Sequence, residues 1–126
     1  MKILQGIDLV KVERVEQEIG REGKSFLDRV FSPAEQDYCG SKRMKFEHYA
    51  ARYAAKEAVL KALKIRPRKG QRLAGIEVAR QATGKPFIAL DRESLKKLRM
   101  PARAQIELSI AHEREYAIAT VVIVIP

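Results

Sequence analysis

The sequence contains no tryptophan, a single cysteine and few aromatic residues of any kind, 6% in all. Each scarcity excludes something. Cys39 has no second cysteine to form a disulfide or to share a zinc ion, so it is expected to be an ordinary helix residue. The aromatic residues do not alternate with basic ones, as a base-stacking platform for single-stranded nucleic acid requires. The longest apolar run, Ala117 to Ile125, falls far short of the roughly 20 residues that cross a bilayer as a helix. The opening stretch Met1-Lys2-Ile3-Leu4-Gln5-Gly6-Ile7-Asp8 is interrupted by polar residues and offers no small-residue cleavage site, so a cytoplasmic location is expected.

What is present fits one modest globular domain over residues 1–126: 126 residues, 46% of them hydrophobic. Lys and Arg outnumber Asp and Glu by 25 to 16, a net charge of +9 that selects anionic ligands. Nucleic acid, an acidic protein, an anionic membrane face and a polyphosphate all satisfy that charge, and charge alone favours nucleic acid. The excess is densest at Lys42-Arg43-Met44-Lys45 and at Arg66-Pro67-Arg68-Lys69-Gly70-Gln71-Arg72, the latter reading as a basic loop.

The periodicities predict an α+β domain in which a long alanine-rich helix packs on a largely antiparallel sheet. Ile3 to Val10 reads as a strand, and Val12, Val15 and Ile19 then share one helical face. Ser32-Pro33-Ala34-Glu35 has a hydroxyl at the N-cap, proline at the first helical position and glutamate at the third, which predicts a helix from Pro33 to about Gly40. Phe46 to Leu63 holds alanines at 50, 51, 54, 55, 58 and 62 without glycine or proline and should be the longest helix. Two hairpins follow, one around Ala82-Thr83-Gly84-Lys85 and one after the alternation of Ile106, Leu108 and Ile110 with Gln105, Glu107 and Ser109, with a brief helix capped by Asp91 between them.

Within this frame a few side chains can carry chemistry. Glu57 sits among small residues that favour burial, and a buried carboxylate needs a partner; Lys61, one turn on, offers an ordinary ion pair. Asp8 ends an apolar strand, either as a cap for the following helix or as a second carboxylate of a site. Two carboxylates completed by water and phosphate oxygens suit Mg²⁺. His112 is equally a strand-end histidine or a ligand contact, and Gly84-Lys85-Pro86 reads first as turn chemistry.

Taken in order, these segments resemble the holo-acyl-carrier-protein synthases, the small bacterial branch of the 4′-phosphopantetheinyl transferases. The resemblance runs through Gly6-Ile7-Asp8-Leu9-Val10 with Glu13-Arg14, Phe31-Ser32-Pro33-Ala34-Glu35, Ala50-Ala51-Arg52-Tyr53-Ala54-Ala55-Lys56-Glu57-Ala58 with Lys61-Ala62-Leu63, Ile76-Glu77-Val78, Gly84-Lys85-Pro86 and Ser109-Ile110-Ala111-His112. Two departures stand out. Lys64-Ile65-Arg66-Pro67 replaces the family's glycine-containing loop, so cofactor contacts there do not carry over, and Ala111 stands where the family usually has a serine.

The resemblance implies an Mg²⁺-dependent transfer of 4′-phosphopantetheine from coenzyme A to a serine of apo acyl carrier protein, in fatty acid biosynthesis, releasing 3′,5′-ADP. It implies Asp8 and Glu57 as metal ligands and Glu57 and Lys61 as catalytic groups. Arg52, Lys61, Gly84, Lys85, Pro86 and His112 become cofactor contacts, and Arg14 and Arg21 become docking residues for an acidic carrier. It further implies a homotrimer with active sites between subunits, and no nucleic-acid or membrane partner. Two other readings stand beside it: a small basic nucleic-acid-binding module, and an inactive relative that only binds carrier protein.

Overall fold

The capping box at Ser32 forms as its spacing predicts. Ser32 Oγ accepts from the Glu35 amide at 3.2 Å and Glu35 Oε1 accepts from the Ser32 amide at 2.8 Å, satisfying two amides that a helix start leaves orphaned. In the computed structural model, which describes residues 1–126, this helix is the fourth of ten elements. They are β1 (Lys2–Lys11), α1 (Val12–Glu22), α2 (Lys24–Val30), α3 (Pro33–Gly40), α4 (Lys45–Ala62), β2 (Ile76–Arg80), β3 (Pro86–Leu90), α5 (Arg92–Lys97), β4 (Gln105–His112) and β5 (Tyr116–Ile125). The α+β class and the two hairpins match the sequence expectation. Phe26 and Val30 are buried on α2, and Cys39 is a buried residue of α3.

All strand pairs are antiparallel, but the strands form two sheets: a three-stranded one in the order β1-β5-β4, and the β2-β3 hairpin. The alternation of strand side chains sends Ala117, Ala119, Val121 and Ile123 of β5 inward, where all four are buried. Each fully buried valine or isoleucine there is worth about 1.5–3 kcal/mol. Helix α4 lies across β1 and β5. Its alanines 50, 51, 54, 55 and 58 are essentially inaccessible, and small side chains permit this close approach. Gly6 takes the same logic to its limit, since a Cβ there would run into the Ala58 carbonyl oxygen and the Ala62 amide of α4.

A second device ties the hairpin to the helices. Lys56 and Glu35 are both fully buried and pair at 2.7 Å. Lys56 Nζ also donates to the carbonyls of Leu73 (3.2 Å) and Ile76 (2.5 Å), and Glu35 Oε2 accepts from the Val78 amide at 2.8 Å. Burial holds the Lys56 ammonium below the usual lysine range, opposed by the Glu35 carboxylate. One ion pair thereby joins the α3 cap, the middle of α4, the segment after the basic loop and β2.

Candidate active site

Asp8 shares the inner face of β1 with Gly6 and Val10, so the alternation that buries Val10 also points Asp8 toward α4. Because Gly6 lets the strand lie directly on the helix, Asp8 Oδ1 reaches Lys61 Nζ at 2.9 Å. The two simpler readings of these residues fail. Lys61 pairs with Asp8, and no ion pair joins it to Glu57. Asp8 caps nothing: it lies three residues inside the strand, paired with Ala119, while Lys11 occupies the N-cap of α1 and makes no side-chain cap bond.

Glu57 is 8% exposed and forms no ion pair. Burial pushes its carboxyl above the ordinary carboxylate range. A hydrogen bond with Tyr53 opposes this, the Asp8 charge adds to it, and the Arg14 and Lys61 cations pull the other way. Tyr53 is in turn pushed up to about 12, by burial and by the neighbouring Glu57 charge. Asp8, Tyr53, Glu57 and Lys61 stand together in one cleft of about 810 Å³. Its walls are α1 and α2 on one side and the stretch from Pro67 to Leu73 on the other. Arg14 and Arg21 both line this cleft and both are exposed. The Arg14 guanidinium sits 5.8 Å from the centre of the Tyr53 ring, and Arg21 pairs with Glu18 at 2.6 Å.

The remaining expected contacts lie elsewhere. Arg52, Gly84, Lys85, Pro86 and His112 are all outside the cleft. Arg52 is 4% exposed, makes no ion pair, donates from Nη1 to the His48 carbonyl at 3.3 Å and leaves Nε without a partner. Its guanidinium lies 4.4 Å from the centre of the Tyr38 ring, which Arg80 and Lys42 also approach, at 4.8 and 4.5 Å. The His48 ring packs edge-on to Tyr38 and to His112, whose Nδ1 is 3.0 Å from Glu47 Oε1. Burial, with the charges of His112, Arg52 and Lys42, holds His48 below the ordinary imidazole range. Gly84 turns the β2-β3 hairpin at φ +91°, the Arg80 guanidinium lies over it, and Lys85 is 3.8 Å from Glu107. A buried, unpaired guanidinium with further cations around one ring is a charge arrangement that suits an anion.

Sequence reasoning missed Tyr53, Tyr38, Arg80 and Glu47. Tyr53 had one signal, its place a helical turn before Glu57; the others reach their neighbours from separate elements, which no local pattern reveals.

Residues 5–121 match the family model of the 4′-phosphopantetheinyl transferase superfamily. The chain belongs to that family. Similar curated proteins are named holo-[acyl-carrier-protein] synthase: one from Gloeobacter violaceus is 42% identical over 94% of this chain and 90% of its own, and one from Koribacter versatilis is 38% identical over 94% of each. Among solved structures, the coenzyme A complex of a synthase from Chronobacterium ammoniagenes matches with a TM-score of 0.84 at 32% identity, covering 98% of this chain and 97% of that one. The coenzyme A complex of the Helicobacter pylori synthase matches at 0.79 and 31%, covering 96% and 100%.

This phosphopantetheinyl transferase fold holds no cluster of three or more His, Cys, Asp or Glu residues able to enclose a metal unaided. Asp8 and Glu57 in one cleft nevertheless fit magnesium, which takes one or two protein carboxylates and leaves its other positions to water and substrate phosphate. Glu57, buried without a cation of its own, is the kind of carboxylate that such an ion would compensate. No helix of this transferase is long and apolar enough to cross a membrane.

Proposed function

We propose that the chain transfers 4′-phosphopantetheine from coenzyme A to a serine of apo acyl carrier protein, giving holo carrier and 3′,5′-ADP, as a cytoplasmic enzyme serving fatty acid biosynthesis. The observation that carries this is the meeting of Asp8, Glu57 and Lys61, from β1 and α4, in one cleft of a chain of this family. Asp8 and Glu57 are the magnesium ligands, and the ion, when bound, supplies charge neutralisation at the pyrophosphate.

The serine oxygen forms a bond to the β-phosphorus while the bond from that phosphorus to the bridging oxygen breaks. The electron pair leaves on the α-phosphate of 3′,5′-ADP. Glu57 is the base that takes the serine proton. Lys61, oriented by Asp8, places its ammonium against the phosphates and the departing oxygen.

The nucleotide end of coenzyme A needs cations, and the cluster of Arg52, Lys85 and His112, with the Gly84-Lys85-Pro86 turn, fits its 3′-phosphate and base. Since that cluster lies outside the cleft, we assign it to the site of a neighbouring copy within a homotrimer. The outer face of the three-stranded sheet supports this assembly: Ile3, Ile7 and Leu9 are 64%, 53% and 60% exposed on β1, an apolar stripe of the sort subunits cover.

Incubation with coenzyme A, Mg²⁺ and an apo acyl carrier protein tests the reaction. The carrier should gain the mass of one phosphopantetheine group on its serine, and an unchanged carrier refutes the reading.

A further inference from the structure

The wall of the cleft opposite α1 is the basic loop. Arg66, Arg68, Lys69 and Arg72 fall within seven residues that contain no acid. Arg66, Arg68 and Lys69 form no ion pair, and the Arg72 guanidinium stands 3.8 Å from Asp91, beyond hydrogen-bonding reach. Beside the cleft, Arg68, Lys69, Gly70, Gln71, Arg72 and Lys97 line a depression of about 360 Å³ without a single apolar residue. All four loop cations are exposed.

The loop is fixed where it leaves and rejoins the fold. The Ile65 amide donates to the Leu60 carbonyl at 2.9 Å as α4 ends, and the Leu73 amide donates to the Arg29 carbonyl at 2.9 Å. The buried Lys56 holds the Leu73 carbonyl, while Gln71 closes a turn on Arg68 through its own amide and side chain, both at 3.1 Å. Unpaired positive charge is thus held on a tied loop, where like charges repel one another and an anionic partner would relieve the cost. Arg14, on the opposite wall, also lacks an ion pair and points into the same mouth.

Given the function proposed above, on which this inference rests, the acceptor serine must pass between these two walls to reach Asp8 and Glu57. Whatever surrounds that serine on the carrier lies against both. We propose that the Arg66–Arg72 loop is a second docking surface for the acidic face of the carrier protein, gripping it from the side opposite the α1 arginines. The fit is one of charge: the loop offers cations on exposed side chains and no apolar contact, so it sets encounter and orientation.

The double variant Arg68→Glu/Lys69→Glu tests this with apo carrier and coenzyme A as separately varied substrates. At low ionic strength the KM for carrier should rise roughly tenfold or more and converge on the parent value as salt shortens the Debye length from about 10 Å toward 3 Å. The KM for coenzyme A should stay within about twofold, rim charges acting on the partner they face. A rise confined to the coenzyme A KM would assign the loop to the cofactor's phosphates and overturn the proposal, as would two unchanged KM values in a variant with the parent's thermal midpoint. A parent chain that modifies no carrier under any of these conditions would sink the functional reading itself, and the docking surface with it.

Discussion

Lys61 Nζ lies 2.9 Å from Asp8 Oδ1, a bond that spans 53 positions of the chain and joins the middle of β1 to the last turn of α4. The nearer carboxylate in sequence, Glu57, is left without a cationic partner. That division of labour leaves Asp8 compensated and Glu57 uncompensated at the heart of the cleft.

Asp8→Asn keeps the side chain's shape while removing its charge. With the Lys61 end of the pair half exposed, the pair contributes about 1 kcal/mol, so the thermal midpoint should move little. A metal ligand contributes several kcal/mol to the transition state, so kcat/KM should fall by roughly 100-fold or more. Paired melting curves and transfer assays check this; a folded Asp8→Asn enzyme with near-parent turnover in saturating Mg²⁺ would remove Asp8 from the site.

Much of this frame is legible in the sequence because its causes are local. The capping box at Ser32 and Glu35, the alanine-rich α4 and the alternation of Ile106, Leu108 and Ile110 each follow from residues a few positions apart. The pairs that matter most are not local. Lys56 is written like any surface lysine, and only the fold sets it against Glu35, 21 positions away, in full burial. The partner of Lys61 was misread for the same reason, since helical spacing offers Glu57 and is blind to a strand packed across the helix. The separation of the hairpin as its own sheet depends on the irregular stretch after α4, whose path no periodicity encodes. The division of the expected cofactor contacts between the cleft and the Arg52 cluster arises only from how the separate elements pack.

Gly6 gives a second prediction. A methyl group there meets backbone atoms of Ala58 and Ala62, which cannot rotate aside. Gly6→Ala should cost about 1–3 kcal/mol by overpacking, and should also lift Asp8 off Lys61. Denaturant unfolding and transfer rates measured at a temperature where the variant remains folded should both decline; an unperturbed rate would mean the Asp8–Lys61 contact tolerates a shifted strand.

The buried Lys56–Glu35 pair should behave as a unit. Lys56→Met strands a carboxylate in the core and is expected to destabilise by about 3–5 kcal/mol. Removing both charges should cost less than the sum of the two single changes, with a coupling of about 0.5–3 kcal/mol in a double-mutant cycle. Strict additivity would argue that the pair contributes no mutual stabilisation.

His48 supplies a pH dependence. Its folded value lies below the unfolded one, through burial and the charges of His112, Arg52 and Lys42, opposed by Glu47. The unfolded chain therefore takes up the proton first, and stability is lost as the pH falls through the ordinary histidine range, about 6.5, toward the folded value. Replacing His48 with Gln removes this contribution, so stability plotted against pH between roughly 7 and 5 should slope less steeply than in the parent. An identical slope would show that His48 does not titrate differently on folding.

The central claim is that one active site draws Asp8 and Glu57 from one copy and His112 with Arg52 from another, and subunit mixing tests it most directly. Glu57→Gln and His112→Ala should each be inactive or nearly so as homo-oligomers when assayed by the mass gain of apo acyl carrier protein. Co-refolded in equal amounts, random assembly gives about a quarter of the shared sites both intact halves, so the mixture should regain roughly a quarter of the parent's transfer rate. A mixture no more active than its two components, although co-assembled, would contradict a site built between subunits.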